Sequence, residues 1–426
     1  MQAVLFMHRT HDDDIESNRV AGLTLLERQR RTFQHYGVTE MFVTLPAGTN
    51  RTLPVVVDPA SEDIPVHAVM VEPTDDSTVL EQLLPRINGR VLFLRDDVVM
   101  DCRVAEALSA CTSPTMVIDK DENSNPWIGG ALLTRSFIAG ISTRGMQIAD
   151  IWEHLAEQSI AKLIVGDMPV HDVKMRTTTR PWIMRVRDTR DIRHTSNLII
   201  KSTQKGAQDL IAKYIHPFFE NLLTRLLWNT PIKPNHVTVV NALVGGAALG
   251  FFLYGWLGTG VACAIVVGIL DGVDGKLARA TMRFSNFGAL LDRICDKVYE
   301  IGWFIAIGLA LTKQTGTETP IYLSVLLIAT YLLDMTVRSM FKSVMHHELY
   351  DYSTFDIRFN LVGGRRNIYV YMLLVGLVVH QPLEAWWAVA TWSVVTFVVH
   401  SVLVTYHMSK ARRSEQSVTT DRSTVS

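Results

Sequence analysis

Four aspartates stand in the stretch DGVDGKLARATMRFSNFGALLDRICD, residues 271–296, spaced D-x-x-D and D-x-x-x-D. On a helix, Asp271 and Asp274 are three apart and share a face, and Asp292 and Asp296 are four apart and share another. Two adjacent antiparallel helices can point those faces at each other. Four carboxylates in one small site repel, so protons or divalent cations must neutralise them. Hard oxygen ligands suit Mg2+, Mn2+ or Ca2+, and Mg2+ keeps room for the phosphates of a substrate. Gly272 and Gly275 remove side chains beside the acids, and Arg279 can hold a phosphate bidentately. The competing reading is a set of acids at a helix end, solvated or paired with Lys276, Arg293 and Lys297. One pair of acids would fit that reading. Two pairs on successive apolar segments, with glycines and an arginine between them, fit it poorly.

The elements that must carry these acids are membrane helices. An ionised Asp at the centre of a bilayer costs about 2.5–3.5 kcal/mol, and the cluster follows the apolar run LGTGVACAIVVGIL. The chain has 426 residues, which predicts two to three units. Its net charge of −1 argues against bulk nucleic-acid binding, so no nucleic-acid partner is expected. Residues 1–235 mix charged and apolar types, and after Pro234 long apolar runs take over. Candidate spans are 236–256, 257–280, 288–312, 320–345, 367–381 and 383–406, each near the roughly 20 residues a bilayer needs, the fifth being short. Basic residues alternate from loop to loop: Lys276, Arg279 and Arg283 after span two, Lys342, Arg358, Arg365 and Arg366 after span four, Lys410, Arg412 and Arg413 in the tail. Basic residues collect on the inner side. The expectation is six spans in a cell or inner membrane, both termini cytoplasmic and the aspartates at the cytoplasmic side. In front of the first span, Ile211, Ile215, Phe218, Phe219, Leu222, Leu223, Leu226 and Leu227 recur at helical spacing, which predicts an amphipathic helix in the membrane interface. Cys102, Cys111, Cys263 and Cys295 show no metal or disulfide spacing. The N-terminus has no basic region and too short an apolar stretch for a signal peptide, so the first domain is expected to stay in the cytoplasm.

The aspartate stretch resembles the signature of the CDP-alcohol phosphotransferase (CDP-alcohol phosphatidyltransferase) family, D-x-x-D-G-x-x-A-R-x8-G-x-x-x-D-x-x-x-D. Asp271, Asp274, Gly275, Ala278, Arg279, Gly288, Asp292 and Asp296 match it with every spacing intact. KPNHVT at 233–238 is similar to the P-N-x-x-T stretch before that family's first span. The resemblance covers about the C-terminal half. It implies transfer of a phosphoalcohol group, with a CDP-lipid as donor, to a second alcohol, with release of CMP. It implies Mg2+ or Mn2+ on Asp271, Asp274 and Asp292 with Asp296 nearby, and Asp296 as the general base. Gly275 and Ala278 would leave room for cytidine and Arg279 would bind phosphate, with Pro234, Asn235 and Thr238 also assigned to the CDP-alcohol. Family members are often dimers, which makes a homodimer an expectation. Arg338, Lys342, Arg365 and Arg366 are cations on the inner side, where the positive-inside rule would place them anyway. If they bind a phosphate on the acceptor, it is a polyol phosphate such as inositol phosphate or glycerol phosphate; if not, a neutral alcohol.

Residues 1–190 alternate strand-like runs (QAVLFM, EMFVTLP, VHAVMVEP, RVLFLRDD) with helical patterns, which predicts an α/β domain with a mainly parallel sheet. VAGLTLLERQRRTFQHYGVTEMFV resembles sugar-nucleotidyltransferase-like domains, and VLFLRDDVVMD resembles their metal-binding aspartate after a central strand, with Asp97 the nearest match and Asp96 adjacent. MHRTHDDDIESNRVAG departs from that family: it lacks the glycines of a triphosphate loop, and Asp12, Asp13 and Asp14 would repel a triphosphate. The expectation is an altered domain that binds, positions or regulates. The alternatives are a bifunctional enzyme with an active cytidylyltransferase, and a cation transporter using intramembrane aspartates. The expected organisation is an α/β domain over 1–195, a linker and interfacial helix over 196–235, an all-α six-helix membrane domain over 236–408, and a disordered tail over 409–426.

Overall fold

The computed structural model describes residues 1–6, 19–46, 64–71, 83–120, 126–142 and 148–423. The stretch with Asp12, Asp13 and Asp14 lies outside them. Two compact units result. The first takes in Met1–Thr203, Arg225–Pro231 and Ala278–Arg283; the second holds the remaining residues from Gln204 onward.

The first unit is built on a seven-stranded sheet. Its strands are β1 (Gln2–Phe6), β2 (Glu40–Pro46), β3 (Val66–Val71), β4 (Arg90–Arg95), β6 (Thr115–Lys120), β7 (Pro126–Thr134) and β8 (Ala161–Ile164), and β5 (Val98–Met100) pairs outside it with Ile183–Arg185. The order is β3-β2-β1-β4-β7-β6-β8, and only β7 runs antiparallel to its neighbours. Strands β1 and β4 are almost wholly buried, as expected of parallel strands covered on both faces. The helices of the unit are α1 (Leu25–His35), α2 (Cys102–Ala110), α3 (Arg135–Ser142), α4 (Ile148–Glu157) and α5 (Thr189–Ser202). Thr24 caps α1 by accepting from the Glu27 amide, and Asp188 caps α5 from the Arg190 and Asp191 amides. The boundary expected at 195 falls inside α5. Ile199 and Ile200 are buried, Ile199 in a cluster with Val20, Val99 and Val186, so the unit runs on to Thr203.

The second unit is all helical. Short α6 (Leu210–Tyr214) and α7 (His216–Leu227) come first. Then follow α8 (Pro234–Leu253), α9 (Leu257–Ala280), α10 (Asn286–Thr315), α11 (Thr319–Met345), α12 (Thr354–Val362), α13 (Arg366–Val378) and α14 (Pro382–Ser423). The last residues of α7 and α9 cluster with the first unit. Among the described residues, five stretches are long and apolar enough to cross a membrane: α8, α9, α11, α12 with α13, and α14 as far as Ala411. The expected third span, α10, is 30 residues long but carries Asp292, Arg293, Asp296, Lys297 and Glu300 along its first half. The core holds Trp303, Phe304, Phe252, Trp386 and Leu373, while Leu243, Val298, Val375 and Val402 stay exposed. Helices apolar inside and outside suit a lipid surround. The expected tail is a departure: α14 runs helical through 409–423, a stretch without Gly or Pro to stop it.

Candidate functional site

The four aspartates divide between two consecutive helices of the second unit. Helix α9 carries Asp271 and Asp274, and α10 carries Asp292 and Asp296. Ser285 caps α10, its Oγ accepting from the Gly288 amide at 3.1 Å. Asp271, Asp292 and Asp296 each offer a carboxylate oxygen within 4.8 Å of the others. Asp274 is buried to one side, where its Oδ2 accepts from the Thr238 hydroxyl at 2.8 Å.

The cation on this cluster is Arg366, the first residue of α13. It donates from Nη1 to Asp296 Oδ1 at 3.0 Å and from Nη2 to Asp271 Oδ2 at 3.1 Å, and its guanidinium lies 5.7 Å from the Tyr299 ring centre. Two unit charges about 5 Å apart repel by roughly 3 kcal/mol at an effective dielectric of 20. Arg366 pairs with two of the three carboxylates, Asp271 and Asp296. Three carboxylates gathered this closely are the hard-oxygen donor set that would hold a divalent cation such as Mg2+ or Mn2+. The lysines and arginine of the competing reading are held elsewhere. Lys276 pairs with Glu220 at 3.0 Å and donates to Asn221 Oδ1 at 2.6 Å. Arg293 Nε donates to the Ala289 carbonyl of its own helix, and Lys297 sits over the Tyr331 ring.

Helix α8 joins both aspartate helices. Pro234 opens it, where a missing N–H costs nothing. One turn on, Thr238 reaches Asp274 of α9. Asn235 Nδ2 donates to Ser285 Oγ at 3.4 Å, and a Cβ built on Gly288 would fall 2.2 Å from Asn235 Oδ1. The glycine at 288 is thus where α8 touches α10. A cavity of about 200 Å3 lies beside Asp296, lined by Asn241, Gly245, Leu249, Val267 and Tyr299 among others.

The four expected acceptor cations separate. Arg366 is on the aspartates. Arg338 and Arg365 converge on Tyr350, 5.2 and 4.5 Å from its ring centre, and Arg338 also donates to Asp334 at 2.7 Å. Asp334 is held in turn by His400 Nδ1 at 2.6 Å. Lys342 pairs with Glu348 at 2.7 Å. Of the remaining signature residues, Gly275 and Ala278 are half-buried, and Arg279 donates from Nε to the Thr203 carbonyl at 3.0 Å within the first unit. Sequence reasoning missed Asp334, His400 and Glu220, for lone polar residues in apolar runs announce no partner, and Tyr350, which stands in the polar stretch HHELYDYST. His216, buried and next to the site's helices, has no hydrogen-bond partner for either ring nitrogen among the described residues. Burial, opposed by Asp209 and helped by Arg366, holds its imidazole below the ordinary pKa and so neutral.

In the first unit, Asp97 is buried between two guanidiniums, Arg95 Nε and Arg185 Nε, each at 3.0 Å. Burial alone would raise its pKa, but the two arginines outweigh that and hold it below the ordinary value. Both of its oxygens are thereby taken, one by each arginine.

Residues 232–399 match the family described as CDP-alcohol phosphatidyltransferase. The C-terminal part of the chain thus carries a CDP-alcohol phosphatidyltransferase domain. A "Bifunctional IPC transferase and DIPP synthase" of Rubrobacter xylanophilus is 25% identical over 202 residues, 47% of this chain and 44% of the relative. One of the same name from Thermococcus kodakarensis is 31% identical over 140 residues, 33% and 31% of the two chains. An "Archaetidylinositol phosphate synthase" of Pyrococcus horikoshii is 37% identical over 81 residues, 19% and 42%. The chain spans less than half the length of these curated relatives. Among solved structures, Mycobacterium tuberculosis phosphatidylinositol phosphate synthase with CDP-DAG bound is 19% identical with a TM-score of 0.35, over 45% of this chain and 93% of that one. HddC from Yersinia pseudotuberculosis is 10% identical with a TM-score of 0.33, over 46% and 99%.

Proposed function

We propose that this family domain moves a phosphatidyl or similar phosphoalcohol group from a CDP-alcohol to an acceptor alcohol, releasing CMP. The observation that carries the reading is the cluster of Asp271, Asp292 and Asp296 within 4.8 Å, set in a domain of this family. Asp296 takes the proton of the acceptor hydroxyl, which sharpens its oxygen as a nucleophile. That oxygen forms a bond to the phosphorus bearing the donor's alcohol. The bond from this phosphorus to the bridging oxygen breaks, and CMP leaves with the electron pair. Asp271, Asp292 and Asp296 would hold Mg2+ or Mn2+, which would supply positive charge against the pyrophosphate and the leaving phosphate. Thr238 holds Asp274, and Arg366 steadies Asp271 and Asp296. The lipid donor explains a site between membrane helices, and six spans with both termini on the cytoplasmic side follow from the alternating basic loops.

The acceptor is a polyol phosphate. Arg338 and Arg365, brought together at Tyr350, supply the phosphate-binding charge. The Pyrococcus relative, named for an inositol phosphate product, supports the same class. The α/β unit is an altered nucleotidyltransferase-like domain rather than a working cytidylyltransferase, because Asp97 is already bound by two guanidiniums. The test incubates the purified full chain with CDP-diacylglycerol and a panel of alcohols and alcohol phosphates, reading CMP. Release with a polyol phosphate, lost in Asp296→Asn, is expected. Full activity in that variant would remove Asp296 as base, and metal flux without CMP would favour transport. Pyrophosphate release from CTP and a polyol phosphate would show an active first unit.

A further inference from the structure

Helix α7 is amphipathic with its faces reversed. His216, Glu220 and Thr224, four residues apart, are 1%, 2% and 0% exposed, while Phe218, Leu222 and Leu226 are 71%, 49% and 61% exposed. The buried polar face lies along α9, and the contacts recur once per turn. A Cβ on Gly268 would fall 2.9 Å from His216 Cε1, and one on Gly272 would fall 2.3 Å from Glu220 Oε1. One turn further, the buried Lys276 ammonium reaches Glu220 at 3.0 Å and Asn221 at 2.6 Å. Gly268, Gly272 and Lys276 form a single stripe on α9. Three contacts along one stripe fix how α9 is rolled about its own axis. Asp271 immediately precedes Gly272, and Asp274 lies between Gly272 and Lys276, so the same roll aims both aspartates. A carboxylate about 5 Å from the axis shifts by nearly 1 Å for a roll of about 10°, beyond the roughly 0.5 Å a site tolerates.

We propose that Glu220 is a positioning residue for the metal-binding aspartates: through Lys276 and the gap at Gly272 it sets the roll of α9. The inference rests on reading the aspartate cluster as a divalent-cation site. The test uses the full chain in lipid nanodiscs and measures Mn2+ binding by electron paramagnetic resonance, alongside the Mn2+ dependence of CMP release. Glu220→Gln is expected to weaken Mn2+ binding about tenfold or more, with the KM for the donor unchanged at saturating metal. That variant leaves Lys276 buried without its counter-charge and can fail to fold, so the double variant Glu220→Gln with Lys276→Met accompanies it. Removing both charges of a buried pair is often neutral for stability. The double variant is expected to fold and still bind Mn2+ weakly, because it lacks the ion pair that holds the roll of α9. Wild-type Mn2+ affinity in the double variant would overturn the proposal and reduce Glu220 to a structural role. Wild-type protein that binds Mn2+ but releases no CMP would overturn the transfer reaction and leave this proposal standing. No Mn2+ binding by the wild type would overturn both.

Discussion

Thr238→Val separates two roles for one hydroxyl. The resemblance assigns Thr238 to the CDP-alcohol, whereas the structure has it donating to Asp274 Oδ2 at 2.8 Å. Valine keeps the shape and removes the donor. Both residues are buried, at 5% and 7% exposure, so water does not replace the lost bond. A hydrogen bond to a charged group contributes about 1.5–3 kcal/mol. At about 1.4 kcal/mol per tenfold, that is roughly 10- to 100-fold in a binding constant. The assay is CMP release by full-length protein, titrated with Mn2+ at saturating donor and then with donor at saturating Mn2+. If Thr238 holds Asp274 as the further metal-binding aspartate that the resemblance implies, the half-saturating Mn2+ concentration rises by about 10- to 100-fold while the donor KM holds. An unchanged metal requirement with a raised donor KM would refute the reasoning and return Thr238 to the substrate.

Gly288→Ala places a methyl 2.2 Å from Asn235 Oδ1, so the Asn235 side chain must turn away from Ser285 or α8 and α10 must part. The expected loss is about 1–3 kcal/mol, read as thermal unfolding in detergent, and Asn235→Gly in the same chain should recover most of it. Chelation with EDTA should abolish CMP release, and Mn2+ or Mg2+ should restore it while Na+ does not. Asp97 makes part of the first unit's stability pH-dependent. Its folded pKa lies below the ordinary 3.8, so its contribution is complete above that value and is lost as pH falls through the lowered one. Protection of the peptides around β4 and Ile183–Arg185, measured against the intrinsic amide exchange rate at each pH, should therefore fall in acid. Asp97→Asn should exchange fast at neutral pH already, after losing about 3 kcal/mol by stranding two guanidiniums.

Much of the site was legible because its logic is local. Asp271 with Asp274, and Asp292 with Asp296, are spaced by the pitch of a helix, so their shared faces follow from the chain alone. The apolar runs and the alternating loop charges gave the helices, and the strand-like runs gave a mainly parallel sheet. The short fifth span was legible too: α13 is only 13 residues, about 20 Å at 1.5 Å per residue, with α12 packed in front of it.

What the sequence by itself determined is which residue types stand at which helical register, since periodicity and spacing are properties of one segment. What only the tertiary structure decided is who meets whom. Arg366 lies 70 residues from Asp296 and 95 from Asp271, yet it is the cation between them. Arg338 and Arg365 share Tyr350, Lys342 goes to Glu348, and Asp274 stands apart from the other three aspartates on Thr238. Glu220 reads in sequence as a polar residue on an apolar helix, and in the fold it is buried against a glycine and a lysine of α9. A long-range pair is set by how helices roll and cross, and that depends on the packing of the whole bundle rather than on any single stretch of chain.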